Sequence, residues 1–426
     1  MPLKSRNSRN YYALIMEGAF FLTGLAFLDT NSVIPVFIHT FTQSLQLAGL
    51  ASTMWSASSL LAQLITGPYI YRIKNLPAFI STIMFIFRPL PLLMVLILML
   101  PANPYTVVSA FFLMYALLAA SDGTIMVPWL DVFSRTIPDN QRGRLMGNQQ
   151  LFAGIGSLIA GFIIKITLEN SALSSTQKYS ILFGLAGILL LLSSVAMIFV
   201  KDSPRKNSGK RVNIVQYYRK LPEYLSNNKA YSRMLITQLI GSLAAMIVPF
   251  IILFGKNTFA LSPNQVSTLI YIQIIGSLIG GVFWGNISHR LGNKYIILIS
   301  QSINFAIPAL ALISLWLNRF IPPLFFLALM CLLGGTNKGA WIGYTNYTID
   351  VTDEESRPVY FVLTSLMTFP TTFLPYAAGL LADTRGFIPL FIISMLAAFI
   401  AINLALTLKI PVRLEQNQPV VQKDIG

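Results

Sequence analysis

From residue 12 to residue 409 the chain is a succession of apolar runs, most of them some 20 residues long or more, broken by short polar turns. That is the length an α-helix needs to cross the roughly 30 Å hydrocarbon core of a bilayer. The runs predict spans over residues 12–38, 46–68, 77–100, 105–130, 147–168 and 179–200, then 234–255, 264–286, 294–317, 322–348, 359–382 and 386–409. Inside hydrocarbon every backbone N–H and C=O needs a partner within the protein, so only helices or a closed barrel can cross. Barrel strands alternate polar and apolar residues over about ten positions. These runs are longer and apolar on every side. The expected fold class is an all-α polytopic membrane protein with twelve transmembrane helices.

Composition narrows the function classes. The chain is 55% hydrophobic and 11% charged, against about 25% charged residues in a soluble domain. A net charge of +15 raises the question of nucleic acid. Nucleic-acid binders gather their basic residues on one solvated face; here they lie between apolar runs, so membrane lipids are the expected contact and nucleic acid is not. Cys331 is the single cysteine and sits in an apolar segment, which excludes an intrachain disulfide. Two histidines, His39 and His289, are too few for a histidine metal cluster. GxGxxG, GKS/T and HExxH patterns are absent, so no cofactor, ATP-driven step or enzyme activity is expected. Lys4, Arg6 and Arg9 precede the first run in the manner of a secretory signal. That run is too long and carries Glu17 and Asp29, which marks it as a retained span.

The basic residues also set orientation. Only Lys165, Lys178, Lys256, Arg319 and Arg385 fall in the loops of one side, and only Arg88 and Lys338 fall inside spans. The rest line the other side, which by the positive-inside rule is cytoplasmic. Both termini are then expected in the cytoplasm and the protein in a plasma or inner membrane. The longest polar stretch, residues 201–233, carries nine basic residues and divides the chain. We read residues 1–200 as one six-helix bundle, 201–233 as a basic cytoplasmic linker drawn to anionic headgroups, and 234–426 as a second bundle with a short tail.

An internal repeat supports that division. Gly67 and Arg72 in GPYIYRIKN lie 218 positions before Gly285 and Arg290 in GNISHRLGNK, and the same offset joins Ala160 and Gly161 to Ala378 and Gly379. An offset of 219 joins Asp131 and Val132 to Asp350 and Val351. Parallel repeats of six spans are one known design for a carrier. Here the chain resembles the major facilitator superfamily, whose signature between spans two and three, repeated weakly between eight and nine, is a glycine, three residues, an acid, a base, then glycine and further bases. GNISHRLGNK keeps Gly285, Arg290, Gly292 and Lys294 with His289 in place of the acid; GPYIYRIKN keeps Gly67, Arg72 and Lys74 with Tyr71 there. The resemblance implies two pseudo-symmetric six-helix bundles that rock about a central site lined by spans one, four, seven and ten. It further implies that Arg72 with Asp131, and Arg290 with Asp350, act as gating pairs at the cytoplasmic helix ends.

Lone charges at bilayer depth then point to the site. Each costs roughly 2.5 to 3.5 kcal/mol on insertion scales, so such residues face a water-filled cavity or one another. Asp122 in LLAASDGTIMVPW lies on span four and Lys338 in LLGGTNKGAWIGY on span ten, each beside glycines and small polar residues. Both are expected to bind substrate, with Gln238, Tyr344 and Asn346 as weaker lining candidates. The sequence leaves open whether Asp122 and Lys338 touch. On span one, Asp29 is the expected proton carrier. Glu17 is expected to reach headgroups or water at its helix end, without a coupling role. Arg88, followed by Pro89 and Pro91, is expected to satisfy carbonyls freed at a kink. The expected function is secondary transport of a small solute by alternating access, coupled to protons, by a monomer. Efflux of amphipathic compounds is the alternative within transport, weakened because span four lacks the arginine, and span five the proline, that drug antiporters of the superfamily carry. A non-transporting membrane scaffold or sensor is the alternative outside it.

Overall fold

A computed structural model describes residues 5–66, 73, 75–100, 103–202, 223, 225–226, 228–352 and 357–409. Gly67, Arg72 and most of the expected linker lie outside the described residues. The first half comprises α1 (Ser5–Ala26), α2 (Val33–Thr42), α3 (Leu45–Thr66), α4 (Leu76–Phe87), α5 (Leu90–Met99), α6 (Pro104–Thr136), α7 (Asp139–Glu169) and α8 (Ser175–Ile198). The second comprises α9 (Lys229–Ala245), α10 (Ile251–Phe259), α11 (Pro263–Arg290), α12 (Asn293–Leu317), α13 (Pro323–Asn337), α14 (Trp341–Asp350), α15 (Arg357–Thr368), α16 (Leu374–Arg385) and α17 (Phe387–Leu406).

Among the described residues nine helical stretches are long and apolar enough to cross a membrane. The three other expected spans are also helical: α1 with α2, α3, and α15 with α16. The first and third of these are broken, and α3 carries several Ser, Thr and Gln residues.

Several spans are discontinuous, and each break has a local cause. The third is interrupted at Arg88 and Pro89, and the seventh and eleventh pass through 3-10 turns containing Pro249 and Pro370. Proline removes a backbone donor and clashes with the preceding turn. The first span opens between Ala26 and Val33, where Asp29 Oδ1 accepts from the Asn31 N–H at 3.0 Å and from Ser32 Oγ at 2.9 Å. Such side-chain turns compete with the helix for backbone donors. The tenth span tightens to a 3-10 turn over Lys338–Ala340 beside Gly334, Gly335 and Gly339, residues of low helix propensity.

Within the first half α1 packs on α7 and α8, α3 on α6, and α5 on α8; within the second α11 packs on α13, and α12 and α9 on α17. Phe37, Phe111, Tyr115 and Phe183 fill the first interior, and Phe250, Phe254 and Phe391 the second. Among the described residues the two most extensive contacts between the halves are α3 against α16 and α7 against α11. Span two meets span eleven and span five meets span eight, and exchanging the halves turns one pair into the other. That is the pseudo-two-fold relation the repeat implies.

These contacts concentrate at the face that the charge bias assigns to the outside. Asp383 of α16 accepts from Ser44 Oγ at 3.1 Å and from the backbone N–H groups of Leu45 and Gln46 at 3.0 and 2.8 Å. Gln46 Nε2 donates to Tyr376 Oη at 2.6 Å. Ser267 Oγ donates to Glu169 at 2.9 Å, and Asn257 and His39 meet at 3.3 Å. The helices touch so closely that a Cβ on Gly49 would lie 2.1 Å from the Pro375 carbonyl oxygen, and one on Gly379 2.4 Å from that of Leu45.

Candidate transport site

The breaks in spans one and ten face each other. Lys338 Nζ donates to Asp29 Oδ2, an ion pair that joins the halves. Its partners differ in freedom: the Lys338 side chain is 43% exposed and that of Asp29 11%. Beside them Gln273 of α11 donates its Nε2 to the Asn31 carbonyl at 3.4 Å, and Ser52 Oγ donates to the Thr30 carbonyl at 2.9 Å. The opened backbone of span one is thus held by both halves.

A run of amides leads from this point into the second half. Asn337 Nδ2 donates to Asn304 Oδ1 at 2.7 Å, Asn304 Nδ2 to Gln301 Oε1 at 3.1 Å, and Gln301 Nε2 to Tyr344 Oη at 2.6 Å. Gln301 and Asn304 are almost fully buried, at 2% and 4% exposure. Among the described residues three buried amide oxygens, Gln238 Oε1, Gln273 Oε1 and Asn337 Oδ1, have no donor. An unsatisfied buried acceptor costs about 1–3 kcal/mol, so these oxygens identify places where a bound molecule gains most.

The first half holds a second polar centre. Arg88 Nη1 binds Glu17 Oε1 at 3.0 Å and also donates to Ser193 Oγ, and the Phe21 ring lies 4.4 Å from the guanidinium carbon. Trp129 Nε1 donates to Glu17 Oε2 at 3.1 Å. Both charged residues are 3% exposed. This corrects the expectation that Glu17 reaches headgroups or water, since Arg88, Trp129 and Ser193 give its carboxylate an internal set of donors. Arg88 has the structural role expected of it by another route, for its guanidinium serves Glu17 and Ser193 across the bundle. Asp122, on α6, feels the charges of Arg88 and Glu17. Among the described residues it has no hydrogen bond or ion pair.

A profile of the Major Facilitator Superfamily matches residues 19–255 and again 234–423. The chain belongs to the Major Facilitator Superfamily. Solved structures of the superfamily fold agree. A D-xylose–proton symporter matches at TM-score 0.69 and 13% identity over 93% of this chain and 97% of its own. The nucleoside transporter NupG matches at 0.62 and 13%, over 95% and 98%. A bacterial homologue of the human lysosomal transporter Spinster, inward-facing and occupied, matches at 0.63 and 12%, over 98% and 100%. At such identities the likeness shows a shared fold. Superfamily members are transporters and not enzymes, and this chain is a multi-pass membrane protein of that kind.

Of the residues singled out in the sequence, the superfamily fold brings Lys338 and Asp29 together. Tyr344 lies against Gln301 inside the second bundle. Asn346 is placed nearer the end of the tenth span, with Ser288 Oγ at 3.5 Å. Asp131 pairs with Arg135 at 3.0 Å, which also binds Asp202 at 2.6 Å; Arg72 is outside the described residues. Arg290 ends α11 exposed, and Asp350 ends α14 accepting from Asn293 Nδ2 at 2.7 Å. Sequence reasoning missed Gln273, Gln301, Asn304 and Asn337. The available signal was Gln301 and Asn304 three residues apart on one face of an apolar span.

Proposed function

We propose that this chain carries a small polar solute across the membrane by alternating access, with the solute seated between the breaks of spans one and ten. The observation that carries the reading is the ion pair of Lys338 and Asp29, which ties the two halves through two interrupted helices. Carriers place solute and ions where helices are discontinuous, because the freed backbone and side chains can bind there. With the orientation set by the positive-inside rule, the contacts between Asp383 and α3 close the outside. Asp122 is a candidate for solute binding and Lys338 takes part through its exchange on Asp29, with Gln238, Tyr344 and Asn346 as weaker candidates on spans seven and ten. Asp29 is the proton carrier, released for protonation when Lys338 leaves it. Arg72 with Asp131, and Arg290 with Asp350, gate the cytoplasmic side, and a single chain suffices for the cycle.

The test is flux in proteoliposomes under a pH gradient. Lys338→Ala is expected to insert normally and to lose net uptake, and Asp29→Asn to lose acceleration by the gradient. Full net uptake by Lys338→Ala would remove the site assignment, and gradient-driven uptake by Asp29→Asn would remove the coupling role.

A further inference from the structure

The solute class follows from which groups at this site are fixed and which lack partners. We infer that the cargo is a small organic cation bearing several N–H donors, and that Lys338 is its built-in competitor for Asp29. This rests on the preceding reading that solute binds between the two helix breaks.

The ion pair is asymmetric. Asp29 is held in place by the Asn31 N–H at 3.0 Å and Ser32 Oγ at 2.9 Å, in a segment further tied by Gln273 and Ser52. Its carboxylate is therefore preorganised with or without Lys338. Lys338 has a flexible four-carbon stem and an exposed side chain, and Asp29 is the hydrogen-bond partner of its ammonium. A fixed carboxylate holding an exchangeable ammonium is a cation site whose occupant, in the empty carrier, is the protein's own lysine. An anionic cargo would instead draw Lys338 away and leave the preorganised Asp29 carboxylate without its counter-ion.

The unpartnered atoms agree. Gln238 Oε1, Gln273 Oε1 and Asn337 Oδ1 are all acceptors. For Gln273 and Asn337 the oxygen is assigned by what the amide nitrogen does. Gln273 Nε2 faces the Asn31 carbonyl, and Asn337 Nδ2 faces Asn304 Oδ1 and, at 3.3 Å, the Ser300 carbonyl. Turning either amide over would set oxygen against oxygen. Asn337 adjoins Lys338 in the chain, and Gln273 touches the same segment as Asp29, so each helix break has an unpartnered acceptor on it or against it.

Charge points the same way. Among the described residues inside the spans, Glu17 pairs with Arg88 and Asp29 with Lys338 while Asp122 makes no ion pair, so acidic side chains outnumber basic ones there. A cationic solute supplies the missing charge and the missing donors. Its ammonium takes Asp29, Lys338 swings into the cavity, and the lysine returns when the solute leaves. The empty carrier thereby regains a neutral pair across its halves.

The experiment uses the purified full-length protein and its Lys338→Gln and Asp29→Asn variants. Binding is measured for 1,4-diaminobutane and 4-guanidinobutan-1-amine as cations, butanedioate as an anion and erythritol as a neutral polyol. The wild type is expected to bind the cations. Removing a competitor that occupies most of the sites should tighten cation binding by about tenfold in Lys338→Gln. Asp29→Asn should weaken it on the order of a hundredfold. Thermal melting of each variant checks its fold, with Lys338→Met as the substitute should the glutamine variant fail.

Butanedioate binding that disappears in Lys338→Gln overturns the proposal in favour of an anion site. Erythritol binding indifferent to Lys338 overturns it in favour of a neutral cargo. Failure of both cations to bind at about 10 mM, or weaker cation binding in Lys338→Gln, also overturns it. None of these outcomes touches the placement of the site, which the flux of Lys338→Ala decides separately.

Discussion

Arg88→Ala is expected to cost about 3–5 kcal/mol of stability, the cost of leaving one member of a buried ion pair without the other. Arg88 and Glu17 are each 3% exposed and 3.0 Å apart, so solvent gives neither an alternative partner. Removal of the guanidinium strands a carboxylate at bilayer depth with Trp129 and Ser193 as its remaining donors. Set against a folding stability of about 5–15 kcal/mol, that loss is a large fraction. The variant should express poorly and melt far below the wild type in detergent. Replacing both charges, Glu17→Leu with Arg88→Met, should recover most of the deficit, because no uncompensated charge remains and only Trp129 Nε1 and Ser193 lose a partner. An Arg88→Ala protein as stable as the wild type would show that this pair does not hold spans one, three and six together.

Hydrocarbon made the helical framework legible in the sequence. It demands some 20 apolar residues per crossing and tolerates few charges, so the spans and the lone residues Asp29, Asp122 and Lys338 stood out. Pairing was not legible, since it depends on where helices break and how the halves meet. Asp122 and Lys338 occupy corresponding spans, yet Lys338 finds Asp29, because Asp29, Asn31 and Ser32 open span one into a side-chain turn opposite the 3-10 turn at Lys338. Glu17 was misread for a related reason. Its depth along the helix suggested access to an end, while the partner that buries it lies 71 residues away on another span. The amides Gln273 and Asn304 were overlooked because an uncharged side chain in an apolar span does not stand out as a lone charge does, although they are each 4% exposed.

Asp383→Ala is expected to shift the carrier toward an outward-open state. The first turn of a helix leaves backbone N–H groups without intrahelical partners. At the start of α3, two of these and the Ser44 hydroxyl are satisfied by a carboxylate that belongs to the opposite half. Loss of an N-terminal cap costs about 0.5–2 kcal/mol. A cap made within one half would stabilise every state equally, but this one exists only while the outside is closed, so its energy acts on the conformational equilibrium itself. A change of about 1–2 kcal/mol alters the ratio of states by about 5–30-fold. Gly379→Leu should do more, since a Cβ there already lies 2.4 Å from the Leu45 carbonyl oxygen and the side chain fits only if α16 leaves α3. The readout is a single cysteine, Thr53→Cys in a Cys331→Ser background, placed one turn beyond Gly49 on α3 where the native side chain is 2% exposed. A membrane-impermeant thiol reagent added from outside should label it faster in both variants, in the order Gly379→Leu, Asp383→Ala, parent. Equal labelling rates in all three would mean that the contacts of Asp383 and Gly379 accompany closure without contributing to it.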